Sequence, residues 1–169
     1  MKGMIKMEEF EKVYEKLNEL NISFEIVEHP AATTTEEADK YVEGIEGVLT
    51  KSLFLTNDKK TAYYLLIMDD HNKLDMNEFK EIVGAKRLKF ASSDSLYKKM
   101  KLQPGVVSIF GLLNNPEKDI KLYFDTKILK EKRISFHPND NTKTIFISIN
   151  DMLKFIKNIG FEYEEVKFE

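Results

Sequence analysis

Two β-rich runs, residues 48–55 and 62–68, stand almost back to back, separated by a polar stretch that includes Asn57-Asp58-Lys59-Lys60. A link this short cannot carry the chain over a sheet into a parallel neighbour, so it closes an antiparallel hairpin. Further short strand runs are expected at 23–28, 88–91, 106–110, 120–125, 134–137, 144–148 and 161–166, joined by loops rich in Asn, Pro, Asp and Gly. Helical spacing marks 7–20, through Phe10, Val13, Tyr14, Leu17 and Leu20, and also 76–83, 92–100 and 152–159, the last ended by Gly160. Thr34 with Glu37 three residues later opens a short helix over 35–42. Strands outnumber helices and often follow one another. The fold class is therefore α+β, with a largely antiparallel central sheet flanked by helices rather than a doubly wound parallel sheet. At 169 residues and 42% hydrophobic content, one domain over 1–169 is expected.

Several classes of chemistry are excluded. The chain has no cysteine, so no disulfide, thiol nucleophile or thiolate metal site is available. His29, His71 and His137 lie far apart and show no zinc-ligand spacing; no metal is expected, and Asp69-Asp70-His71 reads as a solvated loop. There is no phosphate-cradling glycine motif and no G-x-S-x-G elbow. The amino-terminal residues hold too short an apolar run for a signal peptide, and no stretch approaches a membrane span, so a cytoplasmic location is expected. A net charge of −3 and a pI near 5.8 do not announce a nucleic-acid binder. Three local basic clusters soften that objection: Lys86, Arg87 and Lys89; Lys98, Lys99 and Lys101; Lys130, Lys132 and Arg133.

Three positions break the local rules. Period two places Lys51 on the strand face of Leu49, Leu53 and Leu55, where a charge is out of place unless its stem covers apolar surface or its ammonium holds a phosphate. Gln103-Pro104-Gly105 turns into Val106-Val107-Ser108-Ile109, and glycine there permits close approach of a ligand to the backbone. An exposed N–H at such a turn suits an oxyanion. His137 stands where a strand runs into the polar loop Pro138-Asn139-Asp140-Asn141-Thr142, as a pocket-rim residue or a structural imidazole. His29 before Pro30 is open to the same two readings.

In order along the chain, EHPAATTTEEA (28–38), GVLTKSLFL (47–55), QPGVVSIFGLLN (103–114) and SFHPNDNTKT (135–144) resemble the YbaK/ProX-like aminoacyl-tRNA editing family, which includes the editing insertion of bacterial prolyl-tRNA synthetase. The resemblance implies hydrolysis of a mischarged aminoacyl-tRNA. Alanyl-tRNA(Pro) is the first expectation, cysteinyl-tRNA(Pro) the runner-up, and a non-catalytic tRNA- or synthetase-binding module the reading from another class. It assigns a catalytic part to Lys51, Gly105 and His137, and substrate contact to Ser52, Val106, Val107, Ser108 and Asn141. Ile109 stands where the family pattern has proline, and Ser52 where many relatives have asparagine. No cofactor is implied. The implied partners are mischarged tRNA(Pro) and prolyl-tRNA synthetase, with no membrane and no DNA.

Overall fold

The computed structural model describes residues 7–32 and 34–169. Helix α1 (Glu9–Glu19) leads to strand β1 (Glu25–Glu28) and helix α2 (Thr35–Tyr41). Strands β2 (Thr50–Asn57) and β3 (Tyr63–Asp69) follow, then α3 (Met76–Val83), β4 (Leu88–Phe90) and α4 (Ser93–Met100). The second half carries β5 (Ile120–Asp125), β6 (Arg133–Phe136), β7 (Lys143–Ser148), α5 (Ile149–Asn158) and β8 (Tyr163–Val166).

The hairpin forms as its spacing requires. Pairing of β2 with β3 runs in unbroken antiparallel register from Thr50↔Asp69 to Thr56↔Tyr63. Its turn is fixed by Asn57, whose Oδ1 accepts from the backbone N–H groups of Thr61 and Ala62 at 2.9 and 3.2 Å. The helix starts expected from sequence also appear: Thr34 Oγ1 accepts from Glu37 N at 3.1 Å and Ser92 Oγ from Ser95 N at 3.1 Å.

The architecture is α+β with two sheets rather than one. A five-stranded sheet runs β4-β2-β3-β5-β8, antiparallel about β2 and parallel where β5 meets β3 and β8. A three-stranded antiparallel sheet runs β1-β7-β6. β3 is buried on both faces, which is why its sequence is continuously apolar rather than alternating. One face (Tyr63, Leu65, Ile67) joins a large core with Val13 and Leu17 of α1, Met100 of α4 and Phe155 of α5; the other (Tyr64, Leu66, Met68) joins a smaller core with Leu55 and Phe79 of α3.

Residues 106–110 do not form the strand their β-rich composition suggests. Ser108 instead caps a 3-10 helix, Ile109–Asn114, by accepting from Phe110 N at 3.1 Å. Packing overrides propensity here. A Cβ on Gly111 would lie 2.5 Å from Met100 Cε and 2.8 Å from a Leu102 methyl, so this turn sits directly on α4. The last strand is likewise shorter than its run, beginning at Tyr163.

The two sheets meet at the start of β2. Val48 N donates to Arg133 O at 3.0 Å, Ser135 N donates to Val48 O at 3.1 Å, and Thr50 Oγ1 donates to Ser135 O at 2.7 Å. These bonds bring the lysine-bearing end of the hairpin beside the end of β6, where the chain reaches His137.

Candidate functional site

A cavity of about 330 Å³ opens at this junction. Leu49, Thr50, Lys51, Ser52 and Leu53 line it from the entry of β2; Ser135, Phe136 and His137 from the end of β6; Ala32, Thr34, Ala38, Asp39 and Val42 from α2 and the chain on either side of it. Gly105 and Val107 close it from the Pro-Gly turn, and Asp70 from the end of β3. Five consecutive lining residues on an unbulged strand mean that the cavity takes in the strand's end, not one face. Lys51 and Ser52 therefore both line it although alternate side chains point to opposite sides.

The residues singled out by sequence divide in two. Lys51, Ser52, Gly105, Val107 and His137, drawn from three distant segments, line one cavity. Val106, Ser108 and Asn141 are not among its lining residues. Ser108 is fully buried with its hydroxyl engaged in the 3-10 cap. Val106 N donates to Gln103 O at 3.3 Å, which closes the turn. Asn141 is tied to the cavity wall at one remove: its O accepts from Ala32 N at 3.3 Å and its Nδ2 donates to Ala32 O at 3.4 Å.

Gly105 adopts φ +91°, a left-handed conformation that disfavours side chains, although a Cβ there would meet nothing within 4 Å. Glycine is thus required by the backbone and not by space. Within this turn Val106 N is committed, while the amides of the lining residues Gly105 and Val107 have no intramolecular acceptor among the described residues. They have the chemistry of an oxyanion site.

His137 is held in one tautomer. Its Nδ1 lies 2.8 Å from Lys143 O, and since a carbonyl only accepts, the hydrogen is on Nδ1 and Nε2 carries a lone pair. Burial pushes the imidazole pKa down, outweighing the bond to Lys143, so the neutral form dominates near pH 7. His29 stands edge-on to it with ring centroids 6.2 Å apart; it stacks on Tyr41 and bonds Thr144 Oγ1 at 2.9 Å.

Asp39 and Asp70 belong to the site too, and sequence reasoning missed them. The solvated-loop reading fails for Asp70, whose side chain is only 2% exposed. The pairing of β2 with β3 carries on past the strand ends, Asp70 N donating to Leu49 O at 3.0 Å, which keeps this aspartate inside the wall. Burial first, and then the neighbouring Asp39 carboxyl, pushes Asp70 up to about 7. Two successive aspartates, Asp69 and Asp70, closing the apolar run 63–68 were the available signal. One oxygen each from Asp39 and Asp70 and one nitrogen of His71 lie within 4.8 Å of one another, the only such three-residue group of potential ligands among the described residues.

The basic clusters are partly spent on the fold. Lys99 bonds Asp119, Lys101 lies over the Tyr97 ring, and Arg133 bonds Glu25 at 2.6 Å. No helix among the described residues is long and apolar enough to cross a membrane.

Fold and site define a small α+β domain whose ligand cavity lies at a sheet junction and is equipped with a lysine, free turn amides and a neutral imidazole. The aminoacyl-tRNA editing domain profile matches residues 29–155, and the chain belongs to that family. Aminoacyl-tRNA deacylation is the activity that membership implies at the level of the family. The prolyl-tRNA editing protein ProX of Acetoanaerobium sticklandii is 33% identical over 162 residues, covering 95% of this chain and 98% of that protein. The prolyl-tRNA synthetase associated domain-containing protein 1 of Bos taurus is 31% identical over 152 residues, covering 88% of each. A crystal structure described as a proposed trans-editing enzyme for prolyl tRNA synthetase superposes with a TM-score of 0.72 at 21% identity, over 98% of this chain and 100% of that one.

Proposed function

We propose that this protein is a trans-editing hydrolase that clears alanine from the 3′ end of proline tRNA. The observation that carries the proposal is the meeting of Lys51, the Gly105 turn and His137 in one cavity. Water attacks the carbonyl of the ester linking the amino acid to the terminal adenosine. A carbon–oxygen bond to water forms, the bond to the ribose oxygen breaks, and that oxygen leaves with a proton. The tetrahedral intermediate carries a negative oxygen, which the Gly105 and Val107 amides receive; loss of one such donor typically costs about 10² to 10³ in rate.

Lys51 holds the phosphate of the terminal nucleotide as a point charge. His137, neutral and with Nε2 free to accept, orients the attacking water or the terminal ribose hydroxyl. Ile109 fits the same scheme. It is the first residue of the 3-10 helix, a position where proline's missing N–H is not needed, so isoleucine and proline are both admissible.

Alanine is the preferred substrate on energetic grounds. A synthetic pocket built for proline gains only about 1 to 3 kcal/mol per extra methylene against smaller acyl groups, so errors toward alanine need a second hydrolytic site. The names of the ProX and synthetase-associated relatives point to the same tRNA. The test is clearance of alanyl-, cysteinyl- and prolyl-tRNA(Pro) by the purified protein. Faster loss of alanine than of cysteine or proline supports the proposal. Preference for cysteine moves the substrate, and no clearance above the buffer rate removes the hydrolase.

A further inference from the structure

His29 is held on three sides. Its ring stacks on Tyr41 of α2, with centroids 5.2 Å apart and planes within 5° of parallel. Its Nδ1 lies 2.9 Å from Pro30 O and its Nε2 lies 2.9 Å from Thr144 Oγ1. A carbonyl only accepts, so in the neutral ring the hydrogen is on Nδ1 and Nε2 is the acceptor. The Thr144 hydroxyl therefore gives its hydrogen to His29. Thr144 is itself 5% exposed and lines the cavity, to which it can offer only lone pairs.

The residue beside it is in the same condition. Pairing of β6 with β7 ends at Phe136↔Ile145, so His137 and Thr144 are the next residues on the two strands. His137 spends its Nδ1 hydrogen on Lys143 O, which leaves Nε2 as an acceptor. Two neutral acceptors with their hydrogens committed elsewhere thus stand on adjacent strands at one wall of the cavity. Lys51 and the Gly105 and Val107 amides are donors, suited to the anionic atoms of the substrate. The two acceptors call instead for a neutral partner with two hydrogens. A ribose hydroxyl has one; water has two, and keeps its oxygen lone pairs for attack.

Resting on the reading of the site as an aminoacyl-ester hydrolase, we infer that Thr144 is the second acceptor of the attacking water and that His29 is the positioning residue that keeps its hydroxyl turned to that use. One water hydrogen points to His137 Nε2 and the other to Thr144 Oγ1. As the water oxygen bonds to the carbonyl carbon, the first hydrogen passes as a proton to His137 Nε2 and from there to the departing ribose oxygen. The second leaves with the product acid, which then ionises. The Thr144 hydrogen stays on its own oxygen throughout, bonded to His29.

Single-turnover clearance of alanyl-tRNA(Pro) over a range of protein concentrations separates the rate of the bound complex from the half-saturating concentration. It is measured for the wild type, Thr144→Val, Thr144→Ser, His29→Phe and the Thr144→Val/His29→Phe double variant. Valine keeps the shape of threonine without its oxygen, and is expected to slow the bound complex about tenfold, the scale of one neutral hydrogen bond made in the transition state, with half-saturation unchanged. Serine keeps the oxygen and loses a methyl, and is expected to restore most of the rate. His29→Phe leaves a ring against Tyr41 but frees the Thr144 hydroxyl to rotate; it is expected to slow the wild type several-fold and the Thr144→Val protein by no more than about twofold. If Thr144→Val does not fold, which its thermal melt reveals, Thr144→Ala read against Thr144→Ser gives the same comparison. A valine variant faster than the serine variant makes Thr144 a packing residue and overturns the inference. Raised half-saturation with an unchanged bound rate places Thr144 on the substrate rather than on water, and overturns it too. Losses from His29→Phe and Thr144→Val that multiply overturn the action of His29 through Thr144. Failure of the wild type to clear the ester at all is the distinct result that removes the hydrolase reading itself.

Discussion

The two halves of β2 share one ladder of backbone pairing and have opposite surroundings. From Phe54 to Thr56 the strand is buried, with Leu55 wholly enclosed by Tyr64, Leu66 and Phe79 of the smaller core. From Thr50 to Leu53 it is only partly buried and lines the cavity. The register with β3 is continuous across the divide. A cavity residue can therefore be rigidly placed without being packed: the buried half fixes the backbone, and the open half carries Lys51 into the cavity as an extension of it. Stability and function should separate along this strand.

The largest expected effect is on the packed half. Leu55→Ala removes a fully enclosed side chain and should cost about 2 to 5 kcal/mol, read by urea unfolding, since the double-faced sheet has little room to collapse into the void. Activity per folded molecule should stay close to wild type. A selective loss of activity without loss of stability would mean that the two halves are not separable.

Lys51→Ala is the mirror experiment. Truncating one partner of a charge pair that is desolvated on binding typically costs about 2 to 5 kcal/mol, so kcat/KM for alanyl-tRNA(Pro) should fall by at least about 30-fold. The unfolding free energy should change by no more than about 0.5 kcal/mol, as for substitutions away from packed features. A large stability loss would return Lys51 to the role of a stem covering apolar surface.

A third effect sharpens the comparison at the far end of the pairing, where Asp70 lies against the entry of β2. Folding raises the Asp70 pKa from its ordinary value to about 7, so the folded state holds this proton more tightly than the unfolded chain. Unfolding releases it, and stability falls as pH rises from about 4 to about 7. Complete loss of that proton across the window corresponds to a fall of about 4 kcal/mol, whichever of the two carboxyls carries it. The charged groups facing it are Asp39 of α2, Asp69 of β3 and His71, whose own pKa is raised chiefly by its bond to Asp69. Asp70→Asn should flatten the stability profile across that window, as measured by denaturant unfolding at several pH values. An unchanged slope would place the titration elsewhere.

Much of this division was legible in the residues. The hairpin, the helix caps at Thr34 and Ser92, and the oddity of Lys51 all follow from short-range rules of spacing and side-chain chemistry. What could not be read depends on long-range contact. The β-rich run at 106–110 yields to a 3-10 helix because Gly111 must press against Met100, a contact that no local propensity encodes. Ser108, expected at the substrate, turns inward for the same reason and caps that helix. Asp70 looked like a loop residue because its burial is supplied by segments distant in sequence. The separation into two sheets was hidden as well, since it rests on a few bonds between residues near Val48 and Ser135.

The smallest predicted effect tests whether the site's other wall is held as β2 is held. Gly105 lies in a turn with no ladder to brace it, and its φ of +91° is the whole reason for glycine, because a Cβ there meets nothing. Gly105→Ala should therefore cost about 1 kcal/mol of stability through backbone strain alone. Asparagine tolerates left-handed conformations better than alanine, so Gly105→Asn should cost less despite its larger side chain. Activity should follow the same order, because relaxing the turn swings the Gly105 and Val107 amides away from the oxyanion. If asparagine proves worse than alanine in both measurements, size rather than φ governs the position, and the turn contributes a steric wall instead of oriented amides.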